Sequence, residues 1–274
     1  MESRMIALGD FTELAKTYDC RAGYSLTVLE FCLGSFWDRR EALIVADVGA
    51  GTGKLTQHLN ALACRGYAIE PNEAMFEKGR SLHLNFQWSK ANAENTQLDD
   101  NSVDIVIMGS AFHWTDQQKA LVEFHRILKP GGRFIAVWNP RDLSACSLQR
   151  EIDQWIQQQI PNFIRVSSGF SNFVQGLEKT LEKGSYFSDV VFVEGSHTEK
   201  MSRDRYLGAW KSVNDIRTQA GEETFQRIIK YIEQKTDSMN EIIVPYKTRA
   251  WVAKSTKITY SNTRTAQLKK GGNL

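Results

Sequence analysis

The sequence lacks the features that direct a chain into or across a membrane. No run approaches the ~18 uncharged apolar residues that a bilayer-spanning helix needs, and the first ten residues lack the basic-then-apolar pattern of a signal peptide. Cysteine is also scarce, and the four residues (Cys20, Cys32, Cys64 and Cys146) include no CxxC pair. We therefore expect a cytoplasmic protein without membrane association, in which the cysteines are small buried residues and bind no metal.

Neither sign of charge dominates the chain. The formal net charge at pH 7 is +2, so the composition by itself suggests no nucleic-acid partner. Basic residues are concentrated at the C-terminal end, where residues 254–274 contain no acidic residue. We expect residues 255–274 to form a flexible basic tail. Tyr260 is the only aromatic residue in that tail, which disfavours a nucleic-acid-binding arm.

A regular alternation of apolar runs and helical patterns occupies the first half of the chain. Five short apolar runs have the composition of strands buried on both faces, at residues 42–49, 66–70, 86–90, 103–110 and 133–139. Helical periodicity lies between most of them, at residues 54–64, 72–80 and 117–128. Asn72 is a plausible N-cap of the second of these helices, and residues 129–132 form a turn-like break. The alternation predicts a parallel sheet with helices on both faces.

The pattern changes after residue 140. Two further strands are predicted at 190–197 and 241–254, with helices between them at 204–213 and 222–235. The predicted fold class is therefore α/β, with a doubly wound, mostly parallel seven-stranded sheet and a helical cap over its carboxyl edge. We expect one domain over residues 1–254, composed of an N-terminal helical lid (1–40), a ligand-binding core (41–140), and the cap with the late strands (141–240).

The stretch "ADVGAGTGKLTQHL" (46–59) places a glycine-rich turn between a strand and a helix. A phosphate-binding loop of the Gly-x4-Gly-Lys-Ser/Thr type needs glycine where Val48 stands and a hydroxyl where Leu55 stands. A dinucleotide turn of the Gly-x-Gly-x-x-Gly type fits Gly49 and Gly51, but Lys54 occupies the third glycine position. The first alternative fails at two positions, and the second is weakened but not excluded.

An acidic-x-Gly-x-Gly-x-Gly turn fits every position of residues 47–53. Such a turn lets the backbone approach a ligand closely because no Cβ intrudes. Asp47, at the end of a buried strand, can meet an ammonium group. Glu70 ends the second strand and can accept hydrogen bonds from both ribose hydroxyls. These two carboxylates suit a ligand with an amino-acid part and a ribose.

The ordered series of motifs resembles the class I S-adenosylmethionine-dependent methyltransferases. The resemblance is to the small-molecule branch that includes the trans-aconitate-type enzymes and the type 11 group. Four segments carry it: "DVGAGTGKLT" (47–56), "AIEPNEAM" (68–75), "ANAENTQLDDNSVDIVIMGSAFHW" (91–114) and "EFHRILKPGGRFIAVWN" (123–139). The resemblance covers roughly residues 42–140, and it implies a Rossmann-like fold and S-adenosyl-L-methionine as cofactor.

The resemblance also implies roles for individual residues. Four residues of the turn would surround the methionyl part, Glu70 would hold the ribose, and the other positions would contact the adenine or close the fourth strand over the cofactor. The implied cofactor-binding residues are Asp47, Gly49, Gly51, Gly53, Glu70, Asn72, Met75, Asn92, Ala93, Gly109 and Ser110.

His113 is the best candidate for a general base. It follows the fourth strand directly, at the edge where open α/β sheets bind ligands, and a pKa near ~6.5 suits neutral pH. The alternative is that His113 and Trp114 pack together and shape the cofactor pocket. The other histidines are expected to lie away from this edge. The candidate acceptor-contacting residues are Tyr18, Arg21, Tyr24, His113, Trp114, Trp138, Asn139, Arg141, Tyr206 and Trp210.

The expected function is methyl transfer to a small-molecule acceptor with a carboxylate, hydroxyl or amine group, such as a secondary-metabolite intermediate. Two alternatives stay open, a nicotinamide-dependent oxidoreductase and a non-catalytic cofactor-binding module. The expected partner is the small-molecule substrate, with the chain a monomer or a homodimer. The residues that select the acceptor are expected in the weakly patterned segments 11–40 and 141–240.

Overall fold

The computed structural model describes residues 13–34, 43–165 and 168–258. Its centre is a seven-stranded sheet of order β3-β2-β1-β4-β5-β7-β6, in which β7 runs opposite in direction to the other six strands. This confirms the predicted α/β class and the mostly parallel sheet. The strands are β1 (Ile44–Val48), β2 (Arg65–Ile69), β3 (Phe86–Ser89), β4 (Val103–Gly109), β5 (Leu128–Trp138), β6 (Phe187–Ser202) and β7 (Glu241–Ser255).

Side chains cap several of the helices at their N-termini. The side chain of Asn72 accepts a hydrogen bond from the backbone N of Met75, so the predicted cap forms, and the side chain of Asp116 accepts one from the backbone N of Lys119. The described helices are α1 (Leu26–Leu33), α2 (Lys54–Ala61), α3 (Glu73–Leu82), α4 (Gln117–Ile127), α5 (Ser147–Gln159), α6 (Leu177–Glu182), α7 (Arg203–Lys211) and α8 (Asn214–Lys235), the last interrupted at Gly221.

The central strands are buried on both faces, as their continuous apolar runs predicted. Successive residues of β4 point to opposite sides: Ile105 and Ile107 join a core that includes α1 and α2, whereas Val106 and Met108 join one that includes α4 and α6. Each of these four side chains is at most 1% exposed. Two separate apolar cores therefore hold the sheet between helical layers.

The predicted break at residues 129–132 is a bulge within β5 and does not end the strand. Val103 of β4 pairs with Leu128, but Ile105 pairs with Arg133, so β5 carries extra residues at this point. Gly131 lies in the left-handed region with φ +79°. The prediction that the strand begins only at residue 133 is wrong because β4 continues to pair across the irregularity.

A third apolar core forms the cap. Strand β6 ends at the carboxyl edge of the sheet and β7 begins there, so the intervening helices α7 and α8 lie on that edge. Their apolar side chains pack with α5 and with the adjoining ends of β6 and β7, through residues such as Met201, Phe225 and Val244.

Most of the predicted lid after residue 12 is described. Residues 1–12, 35–42 and 259–274, which include most of the predicted tail, lie outside the described residues.

No helix among the described segments has the length and apolar character to cross a bilayer. Within the same segments, no three His, Cys, Asp or Glu side chains converge as metal ligands would.

Candidate functional site

Two adjoining cavities open at the carboxyl edge of the sheet. The smaller, of about 250 Å³, is bordered by the glycine-rich turn after β1, the ends of β2 and β4, and the start of α3. The larger, of about 490 Å³, lies between the sheet edge, the N-terminal segment and the cap. Tyr18 and Ser110 line both cavities. The site is therefore a two-chamber pocket with a shared wall.

The glycine-rich turn uses a backbone conformation that favours glycine. Gly49 and Gly51 have φ angles of +70° and +59°, in the left-handed region. The backbone N of Gly49 donates to the carbonyl of Ile69 at 2.8 Å, which ties the turn to β2. A Cβ on Gly49 would lie 2.8 Å from the Cβ of Ala111, so the close approach of these two loops requires glycine there.

Glu70 links the turn to the start of α3. One carboxylate oxygen accepts a hydrogen bond from the backbone N of Gly51 and the other accepts one from Asn72, each at 2.8 Å. Burial raises the pKa of Glu70, and the two backbone donors oppose that shift. Each oxygen can accept a further hydrogen bond, and Glu70 lines the smaller cavity, which suits a ligand with two adjacent hydroxyls.

Asp47 is fully buried at the end of β1. Its Oδ2 accepts a hydrogen bond from the Thr56 hydroxyl at 2.6 Å, whereas Oδ1 has no hydrogen-bond partner among the described residues. Burial raises the pKa of Asp47 to about 7, against the hydrogen bond from Thr56. An unsatisfied buried carboxylate oxygen is costly, and a cationic ligand group or an ordered water would satisfy it.

The structure brings most of the implied cofactor residues to the smaller cavity. Those in its wall are Gly49, Gly51, Glu70, Asn72, Met75, Asn92, Ala93, Gly109 and Ser110. Asp47 and Gly53 lie behind this wall. Sequence reasoning missed five other lining residues, of which only Glu94 and Thr115 are polar: Pro71, Glu94, Met108, Ala111 and Thr115. Each is a close chain neighbour of a motif residue, and that adjacency was the available signal.

His113 lies beneath the cavities and lines neither of them. Its Nδ1 accepts a hydrogen bond from Trp138 Nε1 at 3.3 Å, and its ring lies 4.5 Å from that of Trp114. Burial lowers the pKa of His113 to about 3, so the ring is neutral at physiological pH. This environment favours the packing interpretation of His113 over the general-base interpretation.

The candidate acceptor-contacting residues divide between the cavity walls and the cores. Tyr206 lies in the cap core, where its hydroxyl accepts a hydrogen bond from Gln149 Nε2 at 2.7 Å. Trp138 points into the core beside α4 and packs edge-to-face on Trp251. Trp114 lines the smaller cavity. The candidates in the wall of the larger cavity are Tyr18, Arg21, Tyr24, Asn139, Arg141 and Trp210.

Three histidines lie closer to the site than predicted. His197 Nε2 is 3.1 Å from the carbonyl O of Gly23, and the ring of His58 packs against the same glycine. His83 packs against Gly53 in the turn. The prediction that these side chains lie away from the carboxyl edge is wrong. His58 lies on α2, which begins at that edge, and His197 lies on β6, which runs toward it. His125 lies on α4, near Tyr186, as expected.

The N-terminal segment is tied to the sheet through Gly23. Its carbonyl accepts a hydrogen bond from Asn139 Nδ2 at 2.7 Å, and its backbone N donates to Glu199 at 2.9 Å. Thr248 links Asn139 to the N-terminal segment. Its hydroxyl donates a hydrogen bond to Asn139 Oδ1 and accepts one from the backbone N of Ser25, each at 2.8 Å. These bonds hold Arg21 and Tyr24, on either side of Gly23, in the wall of the larger cavity.

Replacement of Gly23 by valine is expected to lower the free energy of unfolding by about 1–3 kcal/mol through overpacking. A Cβ at this position would lie 2.3 Å from the His58 ring, and the ring is held by a hydrogen bond between its Nδ1 and the carbonyl of Lys54. Urea unfolding measures the change. Gly34→Val is the matched control, because a Cβ on Gly34 meets nothing within 4 Å. Equal stability of the two variants would contradict the tight contact.

Comparison with known proteins agrees with this geometry. Residues 46–136 match the family described as a methyltransferase domain. An uncharacterized methyltransferase of Mycobacterium tuberculosis is 43% identical over 98 residues, which are 36% of this chain and 40% of that relative. The ubiquinone/menaquinone biosynthesis C-methyltransferase of Idiomarina loihiensis is 27% identical over 189 residues, which are 62% of this chain and 73% of that protein.

The fold is also found among solved structures. That of a type II methyltransferase from Anaeromyxobacter dehalogenans superposes with a TM-score of 0.57 at 20% identity, covering 85% of this chain and 97% of that one. The family match and the fold together support a class I methyltransferase domain. Residues 46–136 carry a methyltransferase domain of the type 11 group, which confirms the resemblance seen in the sequence.

Proposed function

We propose that the protein binds S-adenosyl-L-methionine in the smaller cavity and transfers its methyl group to a small molecule in the larger one. The observation that carries this proposal is the shared wall at Tyr18 and Ser110, which makes the two cavities neighbours. A volume of about 490 Å³ is within the range of small-molecule sites. The N-terminal segment and the cap wall this cavity, which favours a small acceptor over a macromolecule.

The residues of the smaller cavity fit the donor. Glu70 lines this cavity, and its oxygens can accept further hydrogen bonds from the ribose hydroxyls. Asp47 lies behind the wall, where its unsatisfied oxygen would suit the ammonium end of the donor. Asn72 and Met75 stand where the adenine would lie, with Asn92 beside them. When bound, this cofactor supplies an electrophilic methyl group on a sulfonium. The protein's contribution is then to orient the acceptor and exclude water.

Two hydroxyl groups stand where the cavities meet. The Tyr24 hydroxyl lies 3.4 Å from Ser110 Oγ, and burial raises the pKa of Tyr24 well above its usual value. Tyr24 therefore stays protonated and can act as a hydrogen-bond donor to the acceptor. We assign it a positioning role. His113 is neutral and enclosed, so we propose that it packs the floor of the site and takes no proton.

Replacement of His113 by asparagine is expected to leave the pH profile of kcat unchanged and to lower kcat less than about threefold. Asparagine Oδ1 can accept the hydrogen bond of Trp138 as Nδ1 does, but it cannot act as a base. Loss of a general base would instead cost about 10²–10⁴-fold. Initial rates with labelled cofactor across the pH range measure the difference. His125→Asn is the matched control, since His125 lies on α4 outside both cavities.

The proposed function is tested by cofactor binding and by transfer. Calorimetry should detect binding of S-adenosylhomocysteine and no comparable binding of NAD. Incubation with labelled S-adenosylmethionine and a metabolite extract should give a labelled small molecule. Absence of both S-adenosylhomocysteine binding and transfer would overturn the proposal, and tight NAD binding would favour the oxidoreductase alternative. Binding without transfer to any acceptor would favour the non-catalytic alternative.

A further inference from the structure

The wall of the larger cavity carries an excess of cationic side chains. Four are present, Arg21, Lys54, Arg141 and Arg165, against a single carboxylate, Asp153. The excess is notable because the chain as a whole is nearly neutral. Lys54 follows the glycine-rich turn in the sequence, and only the structure places it in this wall.

One of the four cations is neutralised within the wall. Arg165 Nη2 lies 2.6 Å from Asp153 Oδ1, and Gln157 Nε2 donates to the other oxygen of Asp153 at 2.7 Å. Arg21 is held by neutral acceptors, the carbonyl and hydroxyl of Ser212. The Arg21 guanidinium also stacks 4.2 Å over the ring of Tyr18, which places it at the junction of the two cavities.

Arg141 faces the larger cavity from a fixed position. Its guanidinium lies 3.9 Å over the ring of Trp210, and its backbone pairs with that of Tyr246 at the end of the sheet. The Nε atom is buried without a hydrogen-bond partner, and no described carboxylate forms an ion pair with this side chain. The Tyr246 hydroxyl is a neutral side-chain partner of Arg141, so the charge of the guanidinium stays uncompensated and the group can receive an oxyanion in its plane.

Lys54 is the second cation without a carboxylate partner. The charges of Asp19 and Glu199 act on it, but each carboxylate has its own partners. Asp19 pairs with Lys78 at 2.6 Å, and Glu199 pairs with Arg205 at 2.7 Å. Burial and the neighbouring charge of Arg205 lower the pKa of Lys54, against the attraction of Asp19 and Glu199.

We propose that the acceptor is an organic anion whose carboxylate or phosphate group is held by Arg141 and Lys54. Its apolar body would lie along Trp210 and neighbouring apolar residues of the same wall, Phe163, Phe170 and Val213. This inference rests on the proposed function, because it names the class of molecule that occupies the acceptor cavity.

The donor does not remove the need for an anion. Its ammonium and sulfonium groups carry two positive charges against one carboxylate, so its binding makes the joint site more positive. Arg21, at the junction, is the cation best placed to meet the donor carboxylate. All three cations line only the larger cavity, but Arg21 stacks on Tyr18, which borders both cavities, so Arg141 and Lys54 remain for the acceptor. Electrostatic complementarity therefore selects an acidic acceptor over a neutral or basic one.

Calorimetry on the full chain with four related probes tests this assignment: phenylacetate, phenyl phosphate, phenylacetamide and phenethylamine. Each is titrated in the presence of saturating S-adenosylhomocysteine. We expect at least one of the two anions to bind about tenfold or more tightly than the neutral amide, and the amine to bind least. The better of the two anions distinguishes a carboxylate from a phosphate ligand.

Substitutions of Arg141 and Lys54 test whether these two cations cause the preference for anionic probes. Arg141→Met and Lys54→Met should each weaken binding of the preferred anion about tenfold, while Arg141→Lys should retain part of the affinity. Arg80→Met is the matched control, because Arg80 is exposed on α3 and pairs with Glu77. Binding of S-adenosylhomocysteine by each variant reports whether it is folded.

The outcomes separate the two proposals. If S-adenosylhomocysteine binds but the amide or amine binds as tightly as the anions, or neither anion binds at millimolar concentration, the anion assignment is overturned and the proposed function stands. Unchanged anion binding in both methionine variants also overturns it. If S-adenosylhomocysteine itself fails to bind and no transfer occurs, the proposed function fails.

Discussion

Replacement of Glu70 by alanine is expected to weaken S-adenosylhomocysteine binding about 100-fold. The carboxylate follows β2 and lines the smaller cavity, and each of its oxygens accepts one backbone hydrogen bond, from Gly51 or Asn72, and can accept another. Two hydrogen bonds to a charged acceptor contribute together about 3 kcal/mol, which corresponds to that loss. Isothermal calorimetry gives the dissociation constants.

Two controls make this result specific. Glu73→Ala removes an exposed carboxylate three residues away that pairs with Lys90, and it should change affinity less than about threefold. Glu70→Gln keeps one acceptor oxygen and should bind more tightly than Glu70→Ala. An affinity of Glu70→Ala within threefold of the original protein, with the fold intact by urea unfolding, would show that Glu70 does not hold the ribose.

Replacement of Asp47 by asparagine is expected to stabilise the ligand-free protein by up to about 4 kcal/mol at pH 8 and to have little effect below pH 4. Burial raises the pKa of Asp47 to about 7 in the folded state, whereas an unfolded aspartate titrates near ~3.9. The native state therefore binds the proton more tightly than the unfolded state does. Its carboxylate destabilises the fold above pH 3.9, with the full cost present above pH 7, and stability is regained as the pH falls between these values.

Urea unfolding at a series of pH values measures this effect. Asp116→Asn is the matched control, because Asp116 is an exposed helix cap and asparagine caps equally well. The same substitution at Asp47 should weaken S-adenosylhomocysteine binding, since the amide offers no charge to the ligand ammonium. If Asp47→Asn has the same pH dependence of stability as the original protein, Asp47 is not the buried titrating group.

Local sequence was sufficient to predict the central strands and most residues that line the smaller cavity. A strand buried on both faces must be apolar throughout, so the runs at β1 and β4 could be recognised without a partner. The carboxyl ends of parallel strands meet at one edge, and motif residues that follow β1, β2 and β4 therefore had to converge. Gly49, Glu70 and Ser110 line one cavity for this reason.

Side-chain direction at the same edge could not be predicted. His113 and Trp138 both follow or end strands at the correct edge, yet each turns toward the core beside α4 and they bond to one another. His58 and His197 lie far apart in the sequence and still meet at Gly23. Such contacts depend on the packing of β6 and α2 against the N-terminal segment, for which the sequence contains no local signal.

By itself, the sequence determined the class of fold and indicated the proposed donor, because both inferences depend on short motifs whose spacing is set by strand and helix geometry. Only the tertiary structure determines where the proposed acceptor cavity lies and which residues line it. Its wall combines the N-terminal segment, the end of β5, the loop before α6 and the cap helix α7, which are distant along the chain. Arg141 and Lys54 become a pair of uncompensated cations only when these segments pack together, because burial and the choice of ion-pair partner are properties of the folded chain.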